Sequence, residues 1–99
     1  MHQVRFDELQ PNEVDLIGAW VPSVAGVEGD LTCRRIRWLI EARLERVGAG
    51  DWAVLYVDPH DGRLWELTYP HSEMHGGGPP RLTAISLDDA RAKYDYGAA

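Results

Sequence analysis

The residues of this sequence whose types and spacing could do chemistry are two histidines and a glutamate in the stretch YPHSEMHGGGPPRL. His71, Glu73 and His75 alternate, so in an extended segment all three side chains would face one side. Two imidazoles and a carboxylate could then bind one zinc ion. The spacing differs from the HExxH helix motif, and three consecutive glycines would leave the ligands less rigid than a tight site requires. We therefore interpret these residues as a solvated polar loop and predict neither a metal site nor a cofactor.

The glycines and prolines that follow could instead cradle a phosphate with backbone N–H groups. Phosphate cradles lead directly into a helix N-terminus, whereas here two prolines remove two donors and a strand follows. Glycines can adopt positive φ or approach another surface closely, and prolines impose an extended path. We therefore interpret this segment as a structural loop, formed by Gly76, Gly77, Gly78, Pro79 and Pro80.

Two further groups have a chemical and a structural interpretation. Asp58 and Asp61 flank His60, and such a set could do acid–base work. A stretch rich in Asp, Pro and Gly is also what a hairpin turn requires, and we prefer the turn. Cys33 lies on the apolar side of a predicted helix, where a buried thiol is more usual than a nucleophile, although Arg34 and Arg35 are near. We predict no catalytic residue.

The longest element that must position these residues is a helix in DLTCRRIRWLIEARLERVG. Asp30 is a suitable N-cap, because its carboxylate can accept from backbone N–H groups of the first turn. Apolar residues then recur at steps of three and four, which predicts a helix that continues to Val47. Gly48 and Gly50 would end that helix. The recurring residues are Cys33, Ile36, Ile40, Leu44 and Val47.

Strand patterns surround this helix. Asp15–Val21 reads as one short strand that ends in a turn at Pro22, and the AGVEGD that follows would return beside it as a hairpin. The residues at 52–57 and 64–69 alternate across the DPHDG turn and predict a second hairpin. RLTAIS predicts a third strand, and Ser86 caps a short helix in SLDDARAKY. The predicted class is α+β, with a small antiparallel sheet packed by one long helix and a short C-terminal helix.

Composition limits the class of protein. The 99 residues fit a single domain over 1–99, in which we expect residues 1–14 to be loosely ordered. The formal net charge of −6 argues against nucleic-acid binding and suits a basic partner. A single cysteine excludes an intrachain disulfide. We find no signal peptide and no membrane-spanning run, and expect a cytoplasmic protein that contacts no membrane.

The order of these segments resembles the Immunity protein 27 family, whose members are small proteins encoded beside toxins of bacterial polymorphic toxin systems. The resemblance runs from Leu16 to Tyr94 and is carried by LIGAWV, DLTCRRIRWLI, DWAVLYVDPHDGRLWELTYPHSEMHGGGPPRLTAIS and ARAKY. It implies a protein that does no catalysis and that binds and neutralises a cognate toxin. It also implies a role in competition between contacting cells, in which the toxin is often a basic nuclease. The acidic chain would then occlude an active or substrate-binding site.

Where the toxin would bind remains open at this point. Aromatic side chains on the hairpin and polar groups of the loop are one candidate surface, because exposed Trp and Tyr are enriched at interfaces. The predicted partner-binding residues are Asp58, Asp61, Trp65, Glu66, Tyr69, His71, Glu73 and His75. The amino-terminal carboxylates are an alternative surface, formed by Asp7, Glu8, Glu13 and Asp15.

Two alternative functions also remain. The first is a small metal- or ligand-binding domain, or a metal-dependent hydrolase, that uses His71, Glu73 and His75. The second is an oligomerisation module that pairs exposed tryptophans, although we expect a monomer when the protein is free.

Overall fold

The computed structural model describes residues 5–72 and 77–97. One antiparallel sheet has the strand order β1-β7-β6-β5-β4, and β2 pairs with β3 in a separate hairpin. The predicted α+β class, with a long helix and a short C-terminal helix, is confirmed. No helix in the described ranges is both long enough and apolar enough to cross a membrane. The elements are β1 (Asp15–Ile17), β2 (Trp20–Ser23), β3 (Gly26–Gly29), α1 (Leu31–Ala42), β4 (Glu45–Ala49), β5 (Ala53–Val57), β6 (Leu64–Thr68), β7 (Arg81–Ile85) and α2 (Leu87–Tyr94).

The sheet is apolar on both faces because each face carries a helix. Along β6, Trp65 and Leu67 point to the face packed by α1, whereas Leu64 points to the face packed by α2. The α1 side holds the larger core, formed by Leu9, Leu16, Ile36, Leu39, Trp65, Leu67 and Leu82. The α2 side holds the smaller core, formed by Leu55, Leu64 and Ala90.

Helix α1 is shorter than its periodicity predicts. Its N-cap is Asp30, as expected, and the Asp30 carboxylate accepts a 2.9 Å hydrogen bond from the Cys33 amide. The predicted continuation to Val47, ended by Gly48 and Gly50, is wrong, because the helix ends at Ala42. Residues 45–49 instead form the edge strand β4, paired with β5 and containing a bulge between Arg46 and Gly48. The apolar pattern here fits either a helix or a strand, and the backbone hydrogen bonds to β5 decide in favour of the strand.

The prediction of one strand over Asp15–Val21 is also wrong. The chain divides at Gly18 into β1, which pairs with β7, and β2, which pairs with β3. Gly18 donates its amide to the Pro80 carbonyl at 2.9 Å. A Cβ at this position would lie 2.6 Å from the Cys33 sulfur and 2.8 Å from the Pro80 oxygen. Pro22 lies inside β2 rather than in a turn, and the predicted return as a hairpin is confirmed.

Two arginines hold the segment that precedes β1. Arg35 of α1 binds both carboxylate oxygens of Glu13 at 2.7 Å and also donates to the carbonyl groups of Asp7 and Glu8. Arg63, which precedes β6, donates to the carbonyl groups of Glu13 and Gln10 at 2.6 and 2.9 Å. These hydrogen bonds hold the segment over the α1 face, where Leu9 enters the larger core.

Replacing Gly18 by alanine should destabilise the fold. Because the added methyl group would overlap the Cys33 sulfur and a backbone oxygen, we expect a loss of about 1–3 kcal/mol in the free energy of unfolding, measured by urea denaturation. Gly50→Ala is the matched control, since a Cβ there would lie no closer than 3.4 Å to any atom. Equal stability of the two variants would contradict this account of the division between β1 and β2.

The Glu13–Arg35 pair should make stability depend on pH. The hydrogen bond from Arg35 lowers the pKa of Glu13 below its ordinary value of 4.5, although burial opposes this. A folded-state pKa below the unfolded one stabilises the protein above pH 4.5, and this contribution is lost as the pH falls through the lowered pKa. Glu13→Gln should therefore cost about 1 kcal/mol at pH 7 and less at pH 3. Urea denaturation at both pH values measures this. Exposed Glu41→Gln is the control, and an equal cost at both pH values would contradict the assignment.

Candidate partner-binding site

Helix α2 covers only part of its face of the sheet. It starts directly after β7, and Tyr94 near its end packs beside Gly48 of β4. The strand register places Ile17, Arg81 and Thr68 in one row across β1, β7 and β6. Ile17 in this row is 61% exposed. We call the uncovered part of the sheet the open face. It comprises Asp15, Ile17, Thr68, Arg81 and Thr83.

The charges on the open face neutralise one another. Arg81 binds both oxygens of Asp15 at 2.9 and 2.7 Å, and the Thr83 hydroxyl donates to the same carboxylate at 3.0 Å. The Arg81 hydrogen bond, with that of Thr83, holds the pKa of Asp15 below its ordinary value. A surface with its ion pairs satisfied internally can be covered by a partner without leaving an unpaired charge.

A second ionic cluster lies at the border between the open face and α2. Glu66 of β6 is buried, and its carboxylate accepts a 2.6 Å hydrogen bond from the Tyr94 hydroxyl. Lys93 lies 3.2 and 3.4 Å from the two oxygens of the same carboxylate. Burial, followed by the contact with Glu66, raises the pKa of Tyr94 far above its ordinary value of 10. The phenol therefore stays protonated and donates to Glu66 at physiological pH.

The aromatic residues of the hairpin divide between core and surface. Trp65 is completely buried, and the Arg63 guanidinium lies 4.8 Å from the centroid of its ring. Trp65 therefore supports the sheet and is not on the surface of the free protein. Tyr69 is 46% exposed, and Trp52 is 86% exposed at the turn between β4 and β5. Tyr69 and Trp52 are thus the side chains that a partner could reach.

The two aspartates of the β5–β6 turn are engaged within the turn. Asp58 is only 5% exposed. Its carboxylate accepts from the His60 amide at 2.9 Å, while its backbone bonds to Arg63 and Gly62. Asp61 pairs with Arg63 at 2.8 Å. These contacts explain the residue types of the turn without requiring acid–base chemistry.

Only part of the glycine-rich loop lies within the described residues. His71 is exposed, Gly77 and Gly78 have φ values of +86° and +78°, and Gly78 and Pro79 are buried. A Cβ on Gly78 would overlap the carbonyl group of His71, so the chain passes too close to itself for another residue type. The remaining predicted residues Glu73, His75 and Gly76 lie outside the described residues.

Neither metal nor thiol chemistry is supported by the residues that the structure describes. Among them, no three His, Cys, Asp or Glu side chains are grouped so that they could hold a metal ion. The Cys33 thiol donates to the Ala19 carbonyl at 3.5 Å, and burial raises its pKa. A thiol with a raised pKa is a poor nucleophile, which agrees with the packed thiol expected from the sequence.

Sequence reasoning did not identify several residues of this region as a site. Lys93 and Tyr94 meet Glu66 across 27 and 28 residues, and Arg81 meets Asp15 across 66. No short-range pattern signals such pairs. The only available signal is that Glu66 interrupts an otherwise apolar strand, and a buried carboxylate requires a donor from another element.

The structure is that of a small α+β protein, with one sheet face partly uncovered and with Trp52 and Tyr69 exposed. Exposed aromatic side chains of this kind are enriched at protein interfaces. The chain belongs to the Immunity protein 27 family, whose model matches residues 24–86, from the β2–β3 turn to just after β7. No curated protein and no solved structure matches the chain. The family resemblance expected from the sequence is therefore confirmed. Membership supports an immunity role, implies a toxin protein as the partner and suggests a non-catalytic inhibitor.

The hydrogen bond from Tyr94 to Glu66 should contribute measurably to stability. Tyr94→Phe removes a donor to a buried carboxylate, so we expect a loss of about 1.5–3 kcal/mol in the free energy of unfolding. Tyr69→Phe is the matched control, because its half-exposed ring makes no comparable hydrogen bond among the described residues, and it should change stability by less than about 0.5 kcal/mol. Urea denaturation of both variants is the measurement. A neutral Tyr94→Phe would show that Lys93 alone satisfies Glu66.

Proposed function

We propose that this protein protects a bacterial cell by binding the cognate toxin of a polymorphic toxin system, and that the toxin is a basic nuclease domain. It acts in the cytoplasm as a monomer until it meets the toxin. The protein then covers the active or substrate-binding cleft of the toxin. The observation that carries this proposal is the family match, which spans β3, α1 and β4–β7.

The distribution of charge supports a basic partner. The net charge is −6. On the α1 side, Glu8, Glu13 and Glu28 are paired with arginines, and exposed Glu41 forms no ion pair among the described residues. On the α2 side, several carboxylates form no ion pair among the described residues, so they can steer a cationic protein towards that side. These carboxylates are Glu45, Asp51, Asp88, Asp89 and Asp95.

The contact residues that we propose combine the exposed part of the predicted set with this acidic side. Tyr69 and His71 are exposed and lie where β6 leaves the sheet, and Asp61 lies at the other end of the same strand. Glu73 and His75 remain in the proposal on the basis of the sequence. Asp58 and Trp65 act from beneath the surface, by holding the turn and the strand in place. Glu66 stays in the proposed contact set, because 12% of its side chain is exposed.

Co-expression with a toxin is the direct test. The toxin domains encoded in the same genome, starting with the gene directly upstream, are each expressed with this protein. We expect one of them to form a stoichiometric complex, to lose its nuclease activity in the complex and to cease to be toxic. If every candidate toxin stays free and the cells die, the proposed function is wrong. If a toxin is bound and neutralised but cleaves no nucleic acid, only the nuclease assignment fails.

The steering role of the acidic side has its own test. The triple variant Glu45→Gln, Asp51→Asn, Asp95→Asn removes three unpaired carboxylates on the α2 side with little change in shape, and Asn tolerates the left-handed backbone of Asp95. The matched control Glu8→Gln, Glu28→Gln, Glu41→Gln removes the same charge on the α1 side. We expect the association rate with the toxin to fall about tenfold for the first variant at low salt and much less for the control. Equal rates would contradict the assignment of the acidic side.

A further inference from the structure

A shallow depression of about 380 Å³ lies beside the Glu66 cluster, between the β4–β5 turn, the end of β6 and the end of α2. Its aromatic lining includes Trp52 and Tyr94, and Glu66, Thr68 and Tyr69 also border it. Trp52 is the most exposed aromatic side chain of the described residues that line it, at 86%. A tryptophan left in water at the rim of a concave site contributes nothing to the core, but it is well suited to contact a ligand.

The chemistry of this lining selects a cation. The faces of aromatic rings attract a cation placed over them, and a buried carboxylate adds a full negative charge at the same place. Tyr94 already donates to one oxygen of Glu66, which fixes the carboxylate in position. A planar guanidinium could bind the carboxylate while it stacks on a ring, which an ammonium group does less well.

The present partner of Glu66 is held loosely. Lys93 lies at 3.2 and 3.4 Å, which is longer than the usual 2.7–2.9 Å of a charge-assisted hydrogen bond. Its side chain is 57% exposed, whereas that of Glu66 is only 12% exposed. A flexible, mostly hydrated ammonium is easily displaced, and it can return to water when another cation arrives.

We propose that this depression, which we call the cation depression, receives an arginine side chain of the partner protein. The arginine replaces Lys93 on the Glu66 carboxylate and stacks against Trp52. The proposal deepens and rests on the proposed function, because it names the group by which a basic toxin would be anchored. The open face next to the cation depression, with its ion pairs already satisfied, would receive the surface that surrounds this arginine.

The first test uses a probe in place of the toxin. N-acetyl-L-arginine methylamide is titrated into ¹⁵N-labelled protein and followed by NMR, with the isosteric but uncharged N-acetyl-L-citrulline methylamide as control. We expect saturable shifts of the Gly50, Ala53, Thr68 and Tyr69 amides with the arginine probe and none with the citrulline probe. Equal shifts with both probes, or shifts confined to another region, would overturn the proposal.

Variants of the lining sharpen this test. Trp52→Ala should weaken binding of the arginine probe about three- to fivefold, in keeping with one cation–π contact. Glu66→Gln should abolish detectable binding, while the Gln amide oxygen still accepts from Tyr94. Lys93→Met should tighten binding about fivefold, because it removes the competing ammonium. The control is Val24→Ala, which replaces an exposed apolar residue at the tip of the β2–β3 hairpin. It should leave the affinity for the arginine probe unchanged. Unchanged affinity in Trp52→Ala and Lys93→Met together would overturn the proposal.

Failure of this inference and failure of the proposed function can be told apart. If the wild-type protein binds and neutralises a toxin while Trp52→Ala and Glu66→Gln bind that toxin with unchanged affinity, the cation depression is not the anchor and the immunity function stands. If the arginine probe binds as expected but no toxin is bound, the depression is a cation site and the proposed function fails. A toxin affinity that falls at least threefold in Trp52→Ala and at least tenfold in Glu66→Gln, with the Val24→Ala control unchanged, supports both.

Discussion

The architecture depends on one tightly packed junction, where the β2–β3 hairpin, α1 and the sheet meet. Gly18 bonds to the Pro80 carbonyl, and the amide of Asp30 donates to the Ala19 carbonyl at 3.0 Å. A Cβ on Gly29 would lie 2.7 Å from the Cβ of Cys33, so neither glycine leaves room for a side chain. Because interiors pack at nearly crystalline density, this junction fixes the distance between α1 and the strand that follows the glycine-rich loop. The loop and the helix therefore cannot shift independently.

Fixing α1 on one face determines what the other face can offer. The larger core forms under α1, while α2, with eight residues, is too short to cover the opposite face of a five-stranded sheet. In the uncovered parts of β1 and β7, the charges of Asp15 and Arg81 neutralise each other. Because α2 ends beside Glu66, this largely buried carboxylate still has 12% of its side chain exposed. The surface that we propose for the partner thus results from the different lengths of α1 and α2, and not from a specialised loop alone.

Strong local signals allowed much of this fold to be predicted. The turn at Asp58–Gly62, the strands that flank it and the cap at Ser86 each follow from a few neighbouring residues, and all are present. The predicted extent of α1 was wrong because the same apolar pattern fits both a helix and a strand. Val47 fits both the helical period and an edge strand, and only the presence of β5 decides between them. In the same way, alternation placed Trp65 and Leu67 on one face of β6, but only the packing of α1 shows that this face is buried.

The candidate site was harder to predict because it is built from distant segments. Tyr69 and Glu66 were identified as site residues because they lie on a recognisable strand. Their neighbours Lys93 and Tyr94 come from a helix whose direction across the sheet is set by tertiary packing. Trp52 appeared only as one aromatic residue among several. Its exposure depends on where β5 begins, since one position of difference decides whether a side chain enters the sheet or stays in the turn.

The position of β1 at the edge of the sheet has a consequence for how the protein is made. Strands β4 to β7 follow one another along the chain and each pairs with its neighbour in sequence, but β1 pairs with a strand that is about 66 residues away. During synthesis β1 leaves the ribosome before β7, so it must wait for Arg81 and Thr83 before it has a strand partner. Contacts that join distant parts of the chain form slowly. We therefore expect the open face, which includes Asp15 and Ile17, to be the last surface completed, so that partner recognition begins only after the whole sheet has emerged.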